Sequence, residues 1–308
     1  MKNFIKTIVF LIIFSILFHF TTKILVFKDE EFGSDITSFY NEKKNSLDII
    51  FFGSSHGYCT YSPDIINEEM GYNSYILGTP LQPSYITYYL MVESLKYQKP
   101  KYWVLEIKSF AILDDYAKES TNRSAIDKMR FSANKIEAIN ASIENKSDRF
   151  SYYFNIIKYH SRYNEITKKE IADAMLNRGL KNKGFTALKP DNNVLIENGD
   201  KANTKETHDL TIKNQKYLNK IINLAKDNNI QLIFVKSPNT LRNDDQLYYN
   251  KVFEIAKENN IAYIDYNKLF DELELTYGDF YDSGHVAESG AIKVTKHFIK
   301  DLQKIEEN

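Results

Sequence analysis

The sequence predicts an α/β protein built on a central parallel sheet. Three observations predict it. A chain of 308 residues and 36.0 kDa is long enough to bury a full core. Short apolar runs alternate with helical patterns early in the chain, and the same rhythm returns late in it, as expected of strands joined by helical crossovers.

The elements follow in order. Leu47, Asp48, Ile49, Ile50, Phe51 and Phe52 run into a glycine and read as a buried strand. Ser62 is a suitable N-cap and Pro63 fits the first helical position, opening a short helix to about Met70. Tyr75, Ile76 and Leu77 form a second strand before Gly78. A helix over residues 84–97 is stopped by Pro100, and residues 102–107 form a third strand. Late in the chain come a helix from about Leu210 to Lys226, a strand over residues 231–235, a helix over 247–258, a strand over 261–264 and a terminal helix over about 289–302. One doubly wound domain accounts for both halves. The stretch between them, about residues 113–206, is polar and helical and reads as an insertion capping the sheet.

Composition excludes several classes. Lys+Arg 40 against Asp+Glu 41 leaves no basic excess for nucleic acid. The single cysteine, Cys59, forbids an internal disulfide and cannot alone build a thiolate zinc site. No His or carboxylate cluster has metal spacing and no glycine-rich phosphate loop occurs, so no cofactor is implied.

Residues 1–28 carry a membrane-like segment. Lys2 and Lys6 precede an apolar run over residues 8–18, and residues 4–27 as a helix would reach about 36 Å, enough to cross a hydrocarbon core of about 30 Å. A cleavable signal peptide has an apolar core of similar length. No alanine precedes Ala111 and no small-x-small site follows the run, which favours an uncleaved anchor. Positive charge ahead of the span favours a cytoplasmic N-terminus and an exported body, blunted by Lys23 and Lys28. Residues 29–46 then read as a stalk and 47–308 as the catalytic domain.

Two motifs carry chemistry. Gly53-Ser54-Ser55-His56-Gly57 follows the first strand directly, where small residues let a serine hydroxyl stand clear at the carboxyl edge of the sheet. A serine hydroxyl is a poor nucleophile until a base takes its proton. Near the other end, Asp282 and His285 lie three positions apart on a loop ahead of the last helix, a spacing that suits a base and the carboxylate orienting it.

Together, Gly-Ser-Ser after the first strand, Gly78 after the second and Asp-x-x-His before the last helix resemble the SGNH (GDSL-type) hydrolase superfamily over most of residues 47–302. The resemblance implies a flavodoxin-like three-layer α/β/α fold, Ser55 as nucleophile, His285 as general base, Asp282 as its orienting acid, and the N–H groups of Ser55 and Gly78 in the oxyanion hole. Two departures stand out. Ser54 occupies a position where many members have aspartate, and no Gly-x-Asn-Asp block follows the third strand, whose exit reads Leu105-Glu106-Ile107-Lys108-Ser109-Phe110. An ionised Glu106 has no proton to donate, so the side-chain oxyanion donor is unassigned; one such donor contributes on the order of 2.7 to 4 kcal/mol.

Gly53-x-Ser55-x-Gly57 also fits the nucleophile elbow of α/β-hydrolases, but the serine follows the first strand and the acid lies only three residues before the histidine, which favours the SGNH pattern. With its anchor and its Ser-Ser variant, the chain is similar to SGNH-like proteins of cell-envelope pathways that modify polysaccharides, often beside a multi-span membrane O-acyltransferase. That implies an extracytoplasmic enzyme passing an acyl group from a donor to a polysaccharide acceptor, with an esterase or a non-catalytic partner of such an acyltransferase as the alternatives. His56, His160 and Arg162 are further candidates for substrate contact, each with an ordinary reading as turn or helix-end residues.

Overall fold

The first three strands of the computed structural model are short apolar runs buried on both faces, as a parallel sheet covered by helices requires. The fourth is buried after its first residue, and the edge strand over residues 262–265 is half-buried. The structure describes residues 1–26, 36–176, 182–191, 204–240 and 245–307. The strands are β1 (Ile49–Gly53), β2 (Ser74–Gly78), β3 (Tyr102–Glu106), β4 (Gln231–Lys236) and β5 (Ala262–Asp265), all parallel, in the order β2-β1-β3-β4-β5. That is the flavodoxin-like order, in which the chain reverses its winding direction beside β1 and leaves a crevice at the carboxyl ends of β1 and β3.

Alternate residues of each strand point to opposite faces and nucleate separate cores. Ile50, Phe52, Tyr75, Leu77, Trp103, Leu105 and Phe234 belong to one core. Ile49, Phe51, Ile76, Val104, Ile233 and Val235 belong to the other.

The helices are α1 (Lys2–Val26), α2 (Ile36–Phe39), α3 (Ser55–Tyr58), α4 (Pro63–Met70), α5 (Ser84–Leu95), α6 (Glu119–Ile126), α7 (Ala133–Ser142), α8 (Phe150–Tyr153), α9 (Ile156–Tyr159), α10 (Lys168–Met175), α11 (Ile212–Asp227), α12 (Asp245–Glu258) and α13 (Glu288–Glu307). The first core takes in side chains of α5, α7, α11 and α12, and the second those of α4 and α13, giving three layers. Pro63 stands at the first position of α4, and Gly71 closes that helix at φ 71°, a left-handed value open to glycine.

The expected strands and helices occur, with boundaries shifted by a few residues. α13 begins one residue earlier and runs five residues further than the sequence pattern indicates. The motif that follows β1 forms the short helix α3, with Ser55 as its first residue. Helices α6 to α10 lie between β3 and β4, in the stretch read as an insertion; its residues 177–181 and 192–203 lie outside the described residues, as do residues 29–35 of the expected stalk. Among the described residues, α1 is the one helix long and apolar enough to cross a membrane, a property shared by anchors and signal sequences.

Candidate active site

The site forms where β1 delivers a serine to the carboxyl edge of the sheet. Gly53 ends β1 at φ 150°, and a Cβ there would lie 2.8 Å from Cβ of Glu106, closer than two carbons pack. The absence of a side chain therefore lets β1 turn tightly against the end of β3. Gly57 packs on the same Glu106 Cβ, at 3.4 Å from the position its own Cβ would take. Ser54, in extended conformation, precedes α3, and its carbonyl accepts the N–H groups of Gly57 and Tyr58 at 2.9 and 3.3 Å. The N–H groups of Ser55 and His56 fall in the first turn of α3 and have no acceptor inside the helix, as at any helix start.

The opposite wall is the loop before α13. An isolated antiparallel bridge between Phe280 and Val286 closes its base, and the Tyr281 N–H donates to the His285 carbonyl at 2.9 Å. Within the loop, Asp282 Oδ1 accepts the N–H groups of Gly284 and His285 at 2.7 and 2.8 Å. The same carboxylate lies 2.8 and 3.0 Å from His285 Nδ1. Thr240, just past β4, donates its N–H to the Ser283 carbonyl at 2.8 Å and ties the loop to the sheet. Gly290 lets α13 start hard against this loop, because a Cβ there would come within 2.4 Å of the Asp279 carbonyl oxygen.

These two walls bring Ser55 Oγ to 2.7 Å from His285 Nε2 across 230 positions of sequence. With Nδ1–H donating to Asp282, Nε2 is left as the acceptor of the serine proton. The arrangement is a hydroxyl, an imidazole and a carboxylate in hydrogen-bonded series, which can raise the nucleophilicity of Ser55 and stabilise the imidazolium formed as the proton moves. Gly78 ends β2 level with Gly53 in the parallel register, and a Cβ on it would sit 2.9 Å from the Gly53 carbonyl oxygen.

The other candidates separate. His56 is buried beside His285, ring centroids 5.1 Å apart, and its Nδ1 has no hydrogen-bond partner among the described residues. Burial, then the positive charge of Lys236 and the neighbouring His285 and Lys108, holds its imidazole well below the ordinary value of 6.5. His160 and Arg162 engage other groups. His160 is exposed with Nδ1 2.9 Å from the Ile157 carbonyl, and Arg162 donates to the Leu25 carbonyl of α1 at 2.5 Å and to Glu170 of α10 at 2.7 Å.

Two charged residues beside the site, Glu106, which the sequence excludes as an oxyanion donor, and Lys236, which no motif singles out, take a structural place there. Both are fully buried at the ends of adjacent strands. Glu106 accepts from the Lys108 N–H at 3.2 Å and from the Ser54 hydroxyl at 3.4 Å. Burial pushes its carboxyl up, opposed by the nearby Lys236 charge. Lys236 donates to the Ser237 carbonyl at 2.8 Å and lies over the Tyr249 ring; burial lowers its ammonium, opposed by Asp265 and Glu106. The available signal was a charged residue closing each of two apolar strand runs, since a charge at the end of a covered strand has to find a partner. Cys59 is free and buried, and burial pushes its thiol up, away from reactivity.

No family model matches the chain. No curated protein matches it either. Twelve chains of solved structures are similar to it. A protein of Bacteroides fragilis NCTC 9343, provisionally assigned as an acylhydrolase, aligns at 11% identity and a TM-score of 0.34, over 85% of this chain and 91% of that one. An acetyl xylan esterase from the rumen bacterium Butyrivibrio proteoclasticus aligns at 9% identity and a TM-score of 0.35, over 86% of this chain and 65% of that one. At such scores these likenesses carry no argument about chemistry, which has to come from the side chains themselves.

Proposed function

We propose that the chain is a membrane-anchored serine acyl-transfer enzyme working outside the cytoplasm, and that it moves an O-acetyl group onto a cell-envelope or extracellular polysaccharide. The observation that carries the reading is the 2.7 Å contact between Ser55 Oγ and His285 Nε2, backed by the Asp282 carboxylate on Nδ1. Ser55 is the nucleophile, His285 the general base and Asp282 the group that fixes its tautomer.

In the first half-reaction, His285 takes the hydroxyl proton as Ser55 Oγ bonds to the acyl carbon. The donor's C–O bond breaks, and the departing oxygen leaves with the proton held on His285. The product is an ester on Ser55. In the second half, His285 takes a proton from an acceptor hydroxyl, that oxygen bonds to the acyl carbon, and Ser55 leaves with its proton restored. By resemblance, the N–H groups of Ser55 and Gly78 together hold the developing oxyanion, and the start of α3 leaves the Ser55 N–H without an acceptor inside that helix. A sugar hydroxyl as acceptor makes the enzyme a transferase, and water makes it an esterase. A multi-span membrane O-acyltransferase is a fitting source of the acyl group for an anchored domain.

The test uses the full-length chain in detergent with p-nitrophenyl acetate, with and without oligosaccharide acceptors. Nitrophenol release that is accelerated by an acceptor, together with acetylated oligosaccharide by mass, supports transfer. Release indifferent to every acceptor, with acetate as product, supports the esterase. Turnover unchanged in Ser55→Ala and His285→Ala removes the enzyme reading.

A further inference from the structure

A second part of the molecule is built around the end of α1. The side chains of α1 are exposed up to Phe20 apart from Phe18, which is half-covered; burial against the domain sets in at Thr22 and is deepest at Leu25. Residues 2–21 measure about 30 Å as a helix, the thickness of a bilayer's hydrocarbon core. Whatever the helix's direction across the membrane, the domain therefore meets it at the level where it leaves the lipid.

Arg162 fixes what lies there. Its guanidinium donates to the Leu25 carbonyl at 2.5 Å, satisfying one of the open acceptors at the C-terminal end of α1, and to Glu170 of α10 at 2.7 Å. Glu170 in turn completes a capping box with Thr167 that starts α10. One arginine thus ties the last turn of α1 to the first turn of α10. The apolar side chains that this clamp holds beside α1 are not covered by the fold. Tyr163, Ile171, Met175 and Leu176 are 70%, 41%, 46% and 59% exposed, with Ile171 and Met175 one turn apart on the same side of α10. A soluble domain gains nothing from such a cluster in water, whereas beside a membrane exit it reaches the boundary between headgroups and acyl chains.

We infer that the face formed by Tyr163 and α10 seats in the interfacial layer of the same bilayer that α1 crosses. The domain then rests on the membrane in one orientation instead of swinging on a tether, and its acceptor is confined to polymer close to the lipid surface. This inference rests on the anchored reading of α1 proposed above.

Because Cys59 is buried, single cysteines can be labelled selectively. The full-length chain, one copy per lipid nanodisc, carries an environment-sensitive fluorophore at Ile171→Cys or Met175→Cys, at Ile12→Cys within α1, or at Ile212→Cys, which is 91% exposed on α11. Doxyl groups on the lipids serve as quenchers. The expected result is blue-shifted emission that is quenched by the lipid at positions 171 and 175 as at 12, with 212 unquenched. Quenching at 12 alone overturns the seating while leaving the anchor intact. Quenching at none of the positions overturns both. A blue shift at 171 and 175 that appears only in discs holding two copies overturns the lipid assignment in favour of a second copy of the chain.

Discussion

The two walls of the candidate site are held by opposite means. The Asp282–His285 loop organises itself: one carboxylate oxygen takes two backbone N–H groups and the imidazole within four residues, and the Asp282 side chain stays 46% exposed. The turn from Gly53 to Gly57 is positioned from outside, by a fully buried Glu106 from another strand whose Cβ fills the space that a side chain on Gly53 would need and lies in contact range of Gly57. Acid and base are thus placed by local hydrogen bonds, and the nucleophile by packing between strands. Changes in the loop or at the Ser55 hydroxyl should act on chemistry, and changes to the packed backbone at Gly53 should act on chemistry and folding together.

The largest effect should come from Ser55→Ala and His285→Ala, each lowering kcat for p-nitrophenyl acetate by about a thousandfold or more with thermal midpoint unchanged. A shifted midpoint in either would blur the contrast. Gly53→Ala should come next and behave differently. A methyl forced to within 2.8 Å of Glu106, at φ 150°, should cost about 1–3 kcal/mol in chemical denaturation as well as most of the activity. Asp282→Asn sharpens the other side: its amide oxygen can still accept the loop N–H groups, so stability should hold within about 0.5 kcal/mol while kcat falls by about a hundredfold or more through loss of the tautomer-fixing charge.

The smallest effect concerns pH. His56 has its folded value depressed below 6.5, so the unfolded chain binds its proton first, and the stability present above pH 6.5 is lost as pH falls toward the folded value. Glu106 is shifted the other way: its folded value is raised above 4.5, so the stability present below that pH is lost as pH rises through the folded value. The two slopes oppose each other in the mildly acidic range. Denaturation of His56→Asn should show stability falling as pH rises there, and Glu106→Gln should show it rising, each by up to about 1.4 kcal/mol per pH unit. Parallel profiles for the two variants would show that the turn's buried groups do not titrate in this way.

Much of this architecture is legible in the residues. The strands show as apolar runs because a covered parallel sheet buries both faces of each strand, so Ile49 to Phe52 and Val104 with Leu105 carry no alternation to obscure them. The Asp-x-x-His spacing is legible because its hydrogen bonds are local. The helical character of α3 is not, since four residues containing a glycine show no periodicity and their helix is imposed by the turn. The Glu106 and Lys236 neighbourhood depends on which strands pair and in what register, Glu106 standing opposite Val235, and a single sequence does not encode that visibly. His160 and Arg162 attracted attention by residue type alone. Arg162 proves to cap α1, a contact between segments 137 positions apart that no local pattern announces.

The most direct test of the account is covalent trapping. Full-length chain treated with a fluorophosphonate, then digested and mapped by mass spectrometry, should carry the adduct on the peptide holding Ser55, and His285→Ala should slow its formation by orders of magnitude. An adduct on another serine, or labelling of Ser55 at the same rate without His285, would contradict it.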